Sequence, residues 1–234
     1  MGEQVYTYIR QRIVNGFYRP GQTIVESELA TALKVSRTPV SNAVIMLRER
    51  GLIEERNGRF ITLDLTISDV IDLYQCRLAF DGLAAQLAAT RITARELERL
   101  EGLLDAWGHS SEESDSQALW VADLSFHGLI YQASDNQHLI RFSEIATDLL
   151  STYRRVILDN LGRKEAASRA KSDVRREHER ILEALATRDP HVSEEAAREH
   201  VRSVITYLER VHASFSPLTL EGVNAERADA AHDR

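Results

Sequence analysis

From residue 65 to residue 213, apolar residues recur at helical spacing almost without interruption. A period near 3.6 gives each segment one apolar face, so such a chain folds as packed helices and not as a sheet. The scarcity of breakers agrees, because 11 Gly and 4 Pro in 234 residues are few for an all-β protein with many turns. The pattern predicts six helices, at roughly 68–90, 93–109, 116–134, 136–162, 165–188 and 191–213. Thr93 and Glu96 form a capping box at the second of these. A polar Ser/Glu loop is expected over 109–116. Residues 214–234 lack an apolar stripe and are expected to form a disordered tail. The fold class expected for the chain is mainly α, with a bundle of about six helices at 65–213 behind a smaller unit at 1–64.

Residues 1–64 are punctuated differently. Val5, Ile9, Ile13 and Val14 mark a first helix that Asn15-Gly16 stops. Arg19 to Gln22 reads as a turn, and Glu26 to Leu33 as a second helix with Leu29, Ala30 and Leu33 on one face. Ser36 is positioned as the N-cap of a third helix, where Pro39 is tolerated because the first turn needs no internal amide donor. Val40, Val44 and Leu47 are its buried stripe, and Gly51 ends it. Leu52–Glu55 and Phe60–Leu63 read as two strands joined through Arg56, Asn57, Gly58 and Arg59, with Asn-Gly as the turn signal. A helix-turn-helix followed by a hairpin is the winged-helix arrangement, in which the second helix of the pair enters the major groove.

The net charge of −7 taken alone argues against a nucleic-acid partner. It is unevenly spread: residues 1–64 hold nine Lys+Arg against seven Asp+Glu, a net of +2, which leaves −9 for the remainder. A mildly basic head on an acidic body permits a DNA-contacting module on a domain that touches no phosphate. One cysteine, Cys76, excludes an internal disulfide and multi-cysteine zinc patterns and fits a reducing compartment. Cys76 itself is expected in the core. MGEQVYTYIR lacks a signal-peptide core, and no run approaches the 18 or so apolar residues of a membrane span. A cytoplasmic location with no membrane partner is expected.

The acidic body carries a second signal. Asp123 and His127 are four residues apart, within about 40° of each other on a helix, and Phe126, Ile130 and Tyr131 mark that side as buried. His178 has Val174, Ile181, Leu182 and Leu185 at neighbouring helical positions, and His200 has Ala196, Ala197, Val204 and Tyr207. Burying such groups costs several kcal/mol unless they are paired or ligate something. Three imidazoles and a carboxylate suit Zn²⁺, Ni²⁺ or Mn²⁺; hydrogen-bonded core histidines are the alternative. Arg77 lies on the first body helix among Leu73, Tyr74, Leu78 and Phe80. Its guanidinium fork suits a ligand carboxylate, with a salt bridge to Asp81 as the other reading. Asn136 reads as a helix cap, and His109, His138, His191, His212 and His232 as surface or loop residues.

The elements PG-x-x-I at 20–24, ELA-x-x-L-x-VSRTPV at 28–40 and L-x-x-x-GL-x-E at 47–54 resemble the DNA-binding head of GntR-type bacterial transcription regulators. That resemblance implies a winged helix-turn-helix whose Ser36, Arg37, Thr38 and Ser41 face operator DNA, with Arg56, Gly58 and Arg59 as the wing. The family usually has arginine where this chain has Ser27 and Ser41, so two guanine readers are missing and no operator sequence carries over. The body resembles the FCD effector domain of the FadR-like branch. Asp123-Leu-Ser-Phe-His127, Glu177-His178 and Glu199-His200 match the positions of its metal ligands, Asp123, His127, His178 and His200. Arg77 matches an arginine used on effector carboxylates. The resemblance spans residues 5–213. It implies a non-enzymatic homodimer that binds double-stranded operator DNA and responds to a small carboxylate effector at a divalent metal. The rivals are a metal-dependent helical-bundle enzyme and a metal sensor in which the ion is the signal.

Overall fold

The three short helices of the head each bring an apolar stripe to one core. In the computed structural model, which describes residues 2–108, 116–161 and 173–214, the head comprises α1 (Gly2–Val14), β1 (Thr23–Ile24), α2 (Glu26–Leu33), α3 (Arg37–Glu49), β2 (Ile53–Arg56) and β3 (Arg59–Thr62). Ile9, Ile13, Val40, Val44, Leu47 and Leu52 are buried together there. The sheet is antiparallel in the order β1-β3-β2. Asn57 (φ 53) and Gly58 (φ 71) both take the left-handed conformation, the requirement of a two-residue turn whose twist matches its strands. Arg56 therefore pairs with Arg59 inside the ladder, one residue beyond the expected strand and turn boundary.

Two local expectations need correction. Ser36 has the extended backbone of an N-cap, but its side chain makes no capping hydrogen bond; it stays exposed at the start of α3. β1 was not expected, since two residues carry no readable period. It is tied in through Thr62, whose hydroxyl donates to the Arg19 carbonyl (2.6 Å) and accepts from the Gln22 amide (3.0 Å).

Among the described residues the body comprises α4 (Ile67–Ala89), α5 (Ala94–Gly108), α6 (Ser116–Ala133), α7 (Gln137–Leu161), α8 (Arg175–Ala186) and α9 (Pro190–Ser214). α4 and α9 pack along each other through small residues. Ala84, Ala85, Ala88 and Ala197 are buried in this region, and a Cβ at Gly82 would sit 2.8 Å from Cγ of Arg198. Phe126, Leu100, Ile181 and Leu185 fill the centre. Each end is specified locally. Thr66 and Asp69 form a capping box at α4, Thr93 and Glu96 one at α5. The Asn136 carboxamide accepts amides of α7 and the Asp189 carboxylate those of α9. Where a helix end lies inside the described residues it falls within one residue of expectation, except the end of α8, at 186 against 188; the expected start of α8 at 165 falls outside the described residues. Most of the 109–116 loop and the tail from 215 also fall outside them.

Cys76 is exposed, contrary to the expected core position. The inward face of α4 is set by Val70, Arg77, Asp81, Ala84 and Ala88, which turns the residue before Arg77 about 100° away. Head and body meet where Arg10 of α1 donates to Asp148 of α7 through two bonds, one of them Nε to Oδ2 at 2.7 Å. Asp148 is fully buried, and its neighbour Leu149 packs against the head core. No described helix is long and apolar enough to cross a membrane.

Candidate metal centre and nucleic-acid interface

Three helices point four polar side chains at one spot inside the body. α6 contributes Asp123 and His127, α8 His178 and α9 His200, and one ligand atom from each lies within 4.8 Å of all the others. Nε2 of His127 and Nε2 of His178 are 3.1 Å apart, and Oδ1 of Asp123 stands 3.5 Å from His178 Nε2 and 3.9 Å from His127 Nε2. The three imidazoles are buried.

The outward nitrogens of two of the three rings face carboxylates. His200 Nδ1 lies 2.9 Å from Oε2 of Glu177, and His127 Nδ1 3.6 Å from Oδ2 of Asp81. A proton on each Nδ1 leaves the Nε2 lone pairs of these rings turned inward, the arrangement by which carboxylates orient metal-binding imidazoles. Two inward lone pairs from His127 and His178 at 3.1 Å repel unless a cation or a shared proton lies between them. The donor set therefore fits a divalent ion of the zinc, nickel or manganese type, for which nitrogen and oxygen bonds of about 2.0–2.2 Å are usual.

Electrostatics favour the neutral, ligating forms of His127 and His178. Burial holds the pKa of His127 and His178 well below the ordinary 6.5, helped by Arg77 and the neighbouring imidazole of His200. Burial pushes Asp123 up, against the pull of His200 and Arg77. Glu177 is also penalised by burial, but hydrogen bonds from His200 and Ser203 outweigh that and hold its carboxyl below its usual range.

Arg77 realises the salt-bridge alternative. Its Nη2 donates to Asp81 Oδ2 at 2.7 Å, and its guanidinium lies 5.2 Å from the Tyr74 ring centre. Tyr131 donates to the other oxygen of Asp81 at 2.5 Å. Arg77 and His127 nevertheless border one narrow pocket, which Leu124, Tyr131, Thr147 and Leu150 also line. Glu177 and Tyr131 were not singled out as partners from the sequence. Glu177 orients His200 across 23 residues, and no spacing rule links two helices at that range.

On the head, Ser36, Arg37 and Thr38 are exposed at the N-terminal end of α3, and Ser41 is half-buried. Arg56, Gly58 and Arg59 are exposed on the wing, where Arg56 donates to Glu54 of its own strand at 2.6 Å. His138, His191 and His212 are exposed; His109 and His232 lie outside the described residues.

The family described as bacterial regulatory proteins, gntR family, matches residues 1–62, and the FCD domain family matches residues 72–203. The chain belongs to the GntR family. Its body is an FCD domain. The regulator is 33% identical over 204 residues to the HTH-type transcriptional regulator YdhC of Bacillus subtilis, with 85% of this chain and 84% of that one covered. It is 30% identical over 225 residues to the Glc operon transcriptional activator of Escherichia coli, with 86% of each chain covered. Among solved structures, Escherichia coli McbR/YncC superposes with a TM-score of 0.74 at 19% identity, covering 90% of this chain and 98% of that one, a likeness of fold. The chain is thus a DNA-binding transcriptional regulator with a winged helix-turn-helix head and a helical FCD body, and the relatives it matches are named as regulators.

Proposed function

We propose that the body is a sensor for a small organic acid, read at a divalent metal and relayed to operator-bound heads. The observation that carries this reading is the convergence of Asp123, His127, His178 and His200 within 4.8 Å in a buried site. Asp123 Oδ1 and the Nε2 atoms of the three histidines would hold the ion. When bound, the ion supplies a Lewis-acidic position for a carboxylate oxygen. Glu177 orients His200 from behind, and Asp81 faces Nδ1 of His127. Arg77, on the adjoining cavity, supplies the second cation: an effector carboxylate would exchange with Asp81 for its guanidinium. Burial opposes the charge on Arg77, but Asp81, Tyr74 and Asp123 outweigh it and keep the guanidinium cationic.

The regulator acts in the cytoplasm as a homodimer on this reading, with two heads on half-sites about one helical turn apart. Ser36, Arg37, Thr38 and Ser41 face the operator, and Arg56, Gly58 and Arg59 run along its backbone or minor groove. Effector binding changes operator affinity only so far as it binds the two arrangements of the heads unequally.

Elemental analysis of the purified full chain after metal-supplemented growth is the test, with close to one equivalent of a transition metal expected per chain. Less than a tenth of an equivalent overturns the metal reading in favour of hydrogen-bonded core histidines. Operator affinity measured with the metal-loaded protein, with and without small dicarboxylates, separates the sensing modes. A response to chelation alone, with none to any acid, makes the ion the signal.

A further inference from the structure

The face of α3 turned directly away from the head core is not the face that Arg37 and Ser41 occupy. Val40, Ala43, Val44 and Leu47 are fully buried, and at about 100° per residue the line opposite their mean direction runs through Thr38, Asn42, Ile45 and, at the C-terminal end of the helix, Glu49. Thr38 and Asn42 are exposed, and Ile45 is 41% exposed and Met46 39%. Arg37 lies at one flank of this line and Ser41 between flank and crest. From Thr38 to Ile45 the crest is about 10 Å long, close to three base-pair steps of 3.4 Å.

Ile45 and Met46 lie side by side on this surface, and covering their apolar area gains free energy. Exposed cations lie along one side of the crest at Arg37 and Arg48 on α3, and Arg59 is exposed on the wing, which suits a helix laid with that side toward a phosphate backbone. The apolar group that a major groove offers at its floor is the thymine 5-methyl, and the bidentate partner of a carboxamide there is adenine N6 and N7.

Resting on the regulator's DNA-binding role, we infer that Asn42 and Ile45 are specificity-determining residues: Asn42 pairs with an adenine edge and Ile45 packs on a thymine methyl. Each operator half-site then carries A·T pairs at the two positions under these side chains. Met46, beside Ile45, widens the apolar contact. Asn42 separates adenine from other bases by hydrogen bonds, and Ile45 separates thymine from cytosine by contact with a methyl group.

Selection of bound sequences from a random duplex library by the full chain gives the half-site, and each variant is then measured on that site. The expected half-site contains an adenine whose replacement costs wild type roughly five- to hundredfold in affinity and costs Asn42→Ala nothing. It also contains a thymine whose replacement by deoxyuridine, which removes only the methyl, weakens wild type about fourfold and leaves Ile45→Ala unchanged. Circular dichroism of both variants checks that the exposed sites leave the fold intact. A half-site in which Ile45→Ala and wild type discriminate thymine from deoxyuridine equally at every position overturns the Ile45 assignment. Unaltered adenine preference in Asn42→Ala overturns the Asn42 assignment. In both of those cases DNA binding itself stands. If the library yields no enriched sequence at all, the DNA-binding reading fails and this inference falls with it.

Discussion

The head and the body place their working groups in opposite environments. The head keeps its core apolar and sets Arg37, Thr38, Arg56 and Arg59 in solvent. The body seals Asp81, Arg77, His127, His178 and His200 inside a helical bundle. An exposed cation costs the fold almost nothing and waits for a polyanion, so its energy is spent in binding and is screened by salt. A buried imidazole cluster costs desolvation in every folded molecule, and it is tolerable only when each group has a partner. Replacements in the head should therefore change affinity with little change in stability, whereas replacements in the body centre should change both.

The largest expected effect is in the body. His178→Ala removes the most buried of the four groups, and metal affinity should fall more than about 100-fold, beyond the 10–100-fold expected for Glu177→Gln, which acts only through His200. Competition with a fluorescent chelator measures both. Equal retention of metal in wild type and His178→Ala would break the contrast at its root.

Acid comes next. His127 and His178 have folded-state pKa values below their unfolded 6.5, so the unfolded chain binds more protons as the pH falls. Their contribution is fully present above pH 6.5 and is lost below it, by up to about 1.4 kcal/mol per pH unit for each group. Urea unfolding of metal-free protein between pH 7 and pH 5 should show that decline. A flat or rising profile contradicts it.

The contact between the two regions ranks third. Asp148→Ala leaves Arg10 without its buried carboxylate. Because the Arg10 side chain is 32% exposed, solvent can satisfy part of the guanidinium, and the expected loss is about 1–3 kcal/mol, less than for a fully buried pair. Urea unfolding followed separately by head and body probes would register it as earlier release of the head. Arg37→Ala is expected to weaken operator binding by about 1–3 kcal/mol if it contacts a base, at unchanged melting temperature; fluorescence anisotropy on the selected operator measures it. The smallest effect belongs to Arg59→Ala, which should lower the slope of log Kd against log salt by about one. A change in its melting temperature would blur the separation of the two environments.

Legibility followed the same division. The head was readable because its signals are local. Asn57-Gly58 demands a turn with both residues at positive φ, and Pro39 within the first turn after Ser36 marks where a helix begins. The body's helices were readable from their period, to within a residue at most ends. Cys76 failed because a long, largely apolar helix such as α4 does not announce which face is inward; the Arg77–Asp81 pair chose it. β1 failed because two residues carry no pattern and are held by Thr62 from 40 residues away.

The four candidate ligands stood out because histidines on apolar faces are costly, which is a property of each helix alone. Their meeting within 4.8 Å of one another depends on how α6, α8 and α9 are turned and staggered. The sequence by itself determined the types of the described elements other than β1, the winged-helix head and that Asp123, His127, His178 and His200 sit on apolar faces, because period, caps and turns act over a few residues. Only the tertiary structure decided that Glu177 stands behind His200, that Asp81 holds Arg77, Tyr131 and the rim of His127 together, and that Asn42 and Ile45 crest α3. Each of these is set by packing between elements, where a rotation of one helix by a single residue, about 100°, would bring a different side chain into contact.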